Sequence, residues 1–276
     1  DAPKPATDAA KKTSTVAAKS IDVKKDSSQI VQFDSTKAVA DKIIKITIPS
    51  FAWNNALFFA AKSDQEREEA LVTAKNQIDE AFDATTGAEG LVLDLRDNDG
   101  GLELLSIYVA EHLFAGDFTY YELERRDSEL LRSWAGHQGM DDNAFGIRLP
   151  QRPRQWHEFS HYDGRVFDGP VVVCINERCF STTDNLCAFL HDVRRQNTRF
   201  AGWATNGGTG EPAIVDTLTN CGAQIQFCVS CVYSPSGRMI EGTGTLPDVP
   251  VERDRASTLQ RRDPALEASL KLLRDW

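Results

Sequence analysis

GPVVVCINERCFSTTDNLCAFLHDVRR, residues 169–195, decides how this chain is read. Val171–Ile175 form a short, near-continuous apolar run, the mark of a strand buried on both faces. A polar turn follows, and then Leu186, Phe189, Leu190 and Val193 recur at helical spacing. Ser181 stands on the corner between strand and helix. Ser-x-x-Asp before an amphipathic run resembles a capping box: the Ser181 hydroxyl accepts from an early backbone N–H, and Asp184 favours the positive helix end. The same corner suits a nucleophile. A serine there is exposed, and the first-turn N–H groups converge near it, where they stabilise an oxyanion. That reading needs a second N–H donor and a base. The residues of this stretch leave both readings open.

Outward from the corner, strand and helix patterns alternate. KIIKITIPSF (42–51) reads as a strand. EREEALVTAKNQIDEAF (66–82) reads as a helix, with Leu71, Ala74, Ile78 and Phe82 on one face. GLVLDLR (90–96) is a second buried strand, closed by the tight loop DNDGG (97–101). The glycines of that loop let a substrate approach the backbone, so they are the candidate second donor. LELLSIYVAEHLF (102–114) is a helix, and 115–165 reads as irregular. TRFAGWAT starts another strand, AQIQFCVSCVYSPSGRMIEG reads as strand and turn, and DPALEASLKLLRDW as a closing helix. Repeated strand–helix units predict an α/β fold.

Composition bounds the function. The chain has 276 residues, of which 41% are hydrophobic, enough for one large domain with a substantial core. Its net charge of -10 gives no counterion-release advantage on nucleic acid, so a nucleic-acid partner is not expected. No apolar run is long enough to cross a bilayer. Residues 1–35 are rich in Ala, Lys, Ser, Thr and Pro, and the expectation is a disordered tail or linker before a domain at 36–276. The chain opens at Asp1 with no leader-like run, as a mature form or a fragment would. Of six cysteines, Cys228 and Cys231 form a C-x-x-C on a predicted strand. Buried thiols, or a disulfide to Cys221, are expected there in preference to a metal knuckle.

The blocks IPSF, GLVLDLRDNDGG, PVVVCINERCFSTTD, GWATNGGTG and SPSGRMIEGTGTLPDVPV, in this order, resemble the C-terminal-processing, or tail-specific, serine peptidases. The resemblance runs from about Lys42 to the C-terminus. It implies a crotonase- or Clp-like core of spiralling ββα units. It also implies polypeptide substrates, an extracytoplasmic (periplasmic or secreted) setting, and no metal or cofactor. The nucleophile position falls on Ser181. The oxyanion donors fall on Gly100 or Gly101 and on the amide of Thr182. In the Ser–Lys branch the lysine lies in a TFGKG-like block; the matching ATNGGTG carries Gly208 there, which disfavours that mechanism. The tricorn-like branch uses Ser, His and Glu, and Glu241 in EGTGTLPD fits its glutamate, which would orient an imidazole. That branch places the histidine near residue 36, where this chain has VQFDSTKAVADK and no His.

Five histidines exist: His112, His137, His157, His161 and His191. His112 and His191 fall in predicted helices as packing residues, and His137 lies in the irregular insert. HEFSH (157–161) matches the zinc motif H-E-x-x-H, but Pro150, Pro153 and the following YDG leave little room for a helix. Asp94 and Arg96 are expected to pair structurally. Pro247 and Asp248 are expected to shape a turn, and Gly207, Gly208 and Gly210 to line the cleft. The expected function is a serine endopeptidase-like hydrolase with Ser181 as nucleophile and Glu241 steering a base. The alternative, favoured by the missing His, is a non-catalytic module binding peptides or apolar ligands.

Overall fold

The computed structural model describes residues 32–33, 42–137, 145–156, 160–210, 212–214, 218, 220–252 and 254–276. Its central sheet has six strands in the order β1-β2-β3-β6-β7-β11. These are β1 (Gln32–Phe33), β2 (Ile43–Thr47), β3 (Gly90–Asp94), β6 (Val171–Ile175), β7 (Thr198–Gly202) and β11 (Val249–Pro250). The strands from β2 to β11 pair in parallel, and β1 is antiparallel to β2. Gln32 and Phe33, within the expected tail, therefore extend the sheet; the rest of residues 1–35 lies outside the described residues.

Every residue of β3 and β6 is buried, as their continuous apolar runs predict. The two-residue period sends Leu91, Leu93, Val171, Val173 and Ile175 to one face. There they meet α2 (Asp64–Asp83), α3 (Glu103–Glu111) and α5 (Thr182–Val193) through Leu71, Ile78, Leu105, Leu186 and Phe189. Val92, Val172 and Cys174 point the other way, onto the C-terminal helix α7 (Pro264–Arg274) and its Leu266, Leu270 and Leu273. Each fully buried leucine contributes about 2 kcal/mol. The Asp94–Arg96 pair is structural, as expected, and larger than a pair. The Arg96 guanidinium donates to both Asp94 oxygens (2.6 and 2.8 Å) and to both Asp263 oxygens (2.8 Å each). Asp263 also caps α7, so this arginine fixes the last helix to the end of β3.

The segment 115–165 is not simply irregular. It holds β4 (Tyr121–Arg125), α4 (Glu129–His137) and β5 (Arg148–Gln151), and β4 joins β10 (Ser230–Tyr233) in a three-stranded antiparallel sheet. The short helix α1 (Asn55–Ala60) precedes α2, β8 (Pro212–Ile214) pairs with β9 (Gln226–Cys228), and α6 is Arg255–Leu259. Among the described residues, no helix is long and apolar enough to cross a membrane. The disulfide expectation fails: all six cysteines are free, and Cys221, Cys228 and Cys231 are exposed rather than buried. Asp248 shapes its turn by accepting from Phe200 N and Arg195.

At the end of α5, the buried Arg194 donates to the carbonyls of Leu113, Phe167, Gly169 and Asn197 at 2.6–2.9 Å. Burial pulls its pKa down to about 10. Arg194→Met should destabilise the chain by about 3 kcal/mol in urea unfolding, because several buried carbonyls lose their donor at once. A loss below about 1 kcal/mol would show that those carbonyls find other partners.

Candidate active site

The corner is built before the helix begins. Asn176 Oδ1 accepts from the N–H groups of Asp97 and Arg178, and Cys179 Sγ donates to Leu95 O. These bonds tie the loop after β6 to the loop after β3. Phe180 N then donates to Asn98 O (3.1 Å), and Ser181 N to Gly208 O (2.7 Å). Thr183 N returns to Phe180 O (3.2 Å), closing a four-residue turn with Ser181 at φ 57° and ψ -125°. Those angles are the first central position of a type II′ turn, which favours glycine. Ser181 makes no side-chain cap bond, so the capping reading is corrected. Asp184 lies in the first turn of α5, as expected. It is buried and accepts from Gly207 N and Gly208 N, and burial pushes its pKa up to about 6.

Ser181 lines two adjoining cavities, one of about 900 Å³ and one of about 510 Å³. Gly101, Thr209 and Gly210 line both. Gly207 and Gly208 line neither, so of the three glycines expected along the cleft only Gly210 is there. A Cβ at Gly208 would lie 2.4 Å from the Phe180 ring. Phe180 thus leaves no room for a side chain at position 208 without moving.

The glycine loop meets the corner closely. A Cβ on Gly100 would lie 2.9 Å from Ser181 Cβ and 3.1 Å from Thr182 N. Gly101, at φ 141°, has the Phe51 backbone against it, and a Cβ there would come to 2.1 Å. Gly100 N donates to Asn98 Oδ1 (2.9 Å), so its amide is occupied. Among the described residues, no acceptor is placed for the N–H of Gly101 or of Thr182. The Thr182 hydroxyl donates to Gly101 O (3.0 Å) and joins the two segments.

Glu241 stands behind the Thr209–Gly210 wall. Its Oε2 accepts from Thr209 N (3.3 Å), and its Oε1 is buried with no partner among the described residues. Burial, and then the charge of Asp184, raises its pKa. The structure therefore brings Ser181, Thr182, Gly100 and Gly101 together and sets Glu241 beside the same cleft. No histidine with a described side chain joins them. His112 is held by Tyr108 O and Asp79, His161 by Glu111 and Trp156 O, and His191 by Asp192. The His137 side chain, His157, Glu158 and the segment near residue 36 lie outside the described residues.

Four residues of the cleft were not singled out from the sequence. Asn98, fully buried, holds the glycine loop. Asn185 Nδ2 donates to Glu103 (3.1 Å), and Thr209 Oγ1 donates to Asn185 Oδ1 (3.0 Å). Burial pushes the Glu103 carboxyl up to about 8. The only available signal was a charge on the apolar side of a predicted helix. The sign of its effect on stability follows: the unfolded chain releases this proton in the ordinary carboxylate range, the folded chain only near 8. Stability is therefore lost as pH rises from about 4.5 to about 8. Glu103→Gln, which has no proton to lose, should gain about 4–5 kcal/mol relative to the unsubstituted chain at pH 8.5 and little at pH 4. Thermal melts across that range check it; parallel curves would contradict it.

A parallel α/β core here carries a serine from a strand end to a helix N-terminus, against a glycine loop, a geometry that can support acyl transfer. The profile of peptidase family S41 matches residues 42–251, and the chain belongs to that family. No curated protein matches its sequence. Solved structures agree on the fold. A candidate peptidase from Parabacteroides merdae is 22% identical over 88% of this chain and 64% of its own, with a TM-score of 0.63. The photosystem II D1 C-terminal processing protease is 23% identical over 81% and 48%, with a TM-score of 0.51. Mature CPAF is 14% identical over 84% and 50%, with a TM-score of 0.59. This chain thus spans about half to two-thirds of their lengths.

Proposed function

We propose that this chain is a serine-type hydrolase of polypeptides in which Ser181 attacks the scissile carbonyl. The observation that carries the reading is the Ser181 hydroxyl, uncapped and open to two cavities, beside the unengaged N–H groups of Gly101 and Thr182. Those amides come from separate loops and would hold the oxyanion, while Gly100 supports the loop without donating. Glu241 Oε1 lacks a donor, which an imidazole N–H would supply from a histidine outside the described residues. That histidine takes the Ser181 proton and returns it to the leaving amine. The family and the fold support this reading, with extracytoplasmic peptides as the proposed substrates.

A fluorophosphonate probe tests it, with the labelled peptide identified by mass spectrometry. Labelling of Ser181 is expected. A folded chain that stays unlabelled would leave the binding-module reading, which the lack of a described histidine at the cleft favours. Glu241→Gln should slow labelling by on the order of 10²–10³-fold with little loss of stability. Because burial raises the Glu241 pKa, the labelling rate should fall as pH drops through a value above the ordinary glutamate range. An unchanged rate would remove Glu241 from the mechanism.

A further inference from the structure

The larger cavity is apolar on most sides, yet a carboxyl sits in its wall. Leu102, Tyr121, Trp156 and Val232 line it together with Glu103. Glu103 opens α3, and its carboxyl is held by Asn185, which lines the same cavity beside Ser181. Two other charged residues reach this cavity, Asp64 and Arg67, and they pair with each other. Among the described residues, no cation is paired with Glu103. Asn185 gives it one N–H, shared between its two oxygens at 3.1 and 3.3 Å. The hydroxyls of Ser106 and Thr182 also favour its charged form, and the roughly four lone-pair sites of a carboxylate leave capacity for a donor from the cavity.

We infer that this cavity takes a long basic side chain of the substrate, lysine or arginine, next to the scissile bond, with Glu103 as the specificity-determining residue. The inference rests on the reading of Ser181 as the nucleophile and adds the substrate class. Apolar walls cover the methylene stem of a lysine or arginine, and the head group meets the carboxylate. Aromatic walls add attraction for the cation. A leucine in the same place would bury Glu103 further and give it nothing. Burial keeps Glu103 protonated near neutral pH when the cavity is empty; a cationic occupant favours the ionised form, and the proton leaves to solvent.

The test is binding to the Ser181→Ala chain at pH 8.5, which leaves peptides uncleaved. Two capped pentapeptides are titrated calorimetrically, alanine at four positions and either lysine or norleucine at the centre. Norleucine keeps the stem and lacks the charge. The lysine peptide is expected to bind about tenfold more tightly. In Ser181→Ala/Glu103→Gln that advantage should vanish, while the norleucine affinity stays within about twofold, which shows the cavity intact. Equal or better binding of norleucine, a lysine advantage that survives Glu103→Gln, or no binding of either peptide would overturn the inference. The catalytic reading fails separately: the unsubstituted chain would then show the lysine preference and yet take no fluorophosphonate on Ser181.

Discussion

Ser181→Ala and Ser181→Gly are both expected to abolish fluorophosphonate labelling and peptide hydrolysis, and Ser181→Gly is expected to be the more stable of the two. The loss follows from removing the hydroxyl proposed as the nucleophile. The stability order follows from the backbone. Ser181 is held at φ 57° and ψ -125°, where a Cβ is crowded and glycine is at ease. Holding a non-glycine residue there costs about 1–3 kcal/mol. Glycine relieves that cost but loses up to about 1 kcal/mol of chain entropy on folding. The net gain over alanine should be about 1 kcal/mol, measured by chemical denaturation of the two inactive variants side by side. The strain is held in place by Ser181 N to Gly208 O, Phe180 N to Asn98 O and the turn bond at Thr183. A serine retained at a glycine position, at this energetic cost, is what a nucleophile needs and what a helix cap does not. If glycine and alanine proved equally stable, the corner would be relaxed and that argument would fall.

How much of this was legible in the sequence depends on the range of the interaction that decides each feature. The central sheet was readable because burial on both faces leaves a local record, the runs at Leu91–Leu93 and Val171–Val173. Helix α2 was readable because Leu71, Ala74, Ile78 and Phe82 keep its period. The sheet of β4, β5 and β10 was not. β4 carries charge, as in Tyr121–Arg125, and although the stretch holding β10 reads as a strand, it lies about a hundred residues beyond its partner, so the pairing leaves no local trace. The corner was half-readable. Ser-x-x-Asp is the same string for a cap and for a strained turn, and the sign of φ at Ser181 comes from bonds to residues 98 and 208. Glu241 was located only through resemblance, since sixty residues separate it from Ser181. Glu103 and Asn98 are not singled out by the sequence, because their roles depend on the residues they meet from other segments.

Asn98→Ala should be the most destabilising single change at the site, at about 3–5 kcal/mol, and should slow labelling of Ser181 at least on the order of 100-fold even where the chain stays folded. Asn98 is fully buried and uses both ends of its amide. Nδ2 donates to Ile48 O (2.9 Å), while Oδ1 accepts from Gly100 N (2.9 Å) and from the Thr183 hydroxyl (2.8 Å). One side chain therefore joins the end of β2, the glycine loop and the first turn of α5. Removing it leaves a carbonyl, an N–H and a hydroxyl buried without partners, each worth about 1–3 kcal/mol. The effect on labelling has a separate cause. Asn98 fixes the peptide entering Gly100, while Phe51 N holds the peptide leaving it through Gly100 O (2.9 Å); without the first bond the loop that carries the Gly101 N–H can shift, and a donor displaced by about 1 Å no longer meets the oxyanion. Asn98→Asp separates the two effects. It keeps the acceptor for Gly100 and Thr183, and loses the donor to Ile48. It should therefore share much of the instability and retain more of the labelling rate than Asn98→Ala. If the two variants lost labelling equally while differing in stability, the Gly100 bond would not be what aims Gly101.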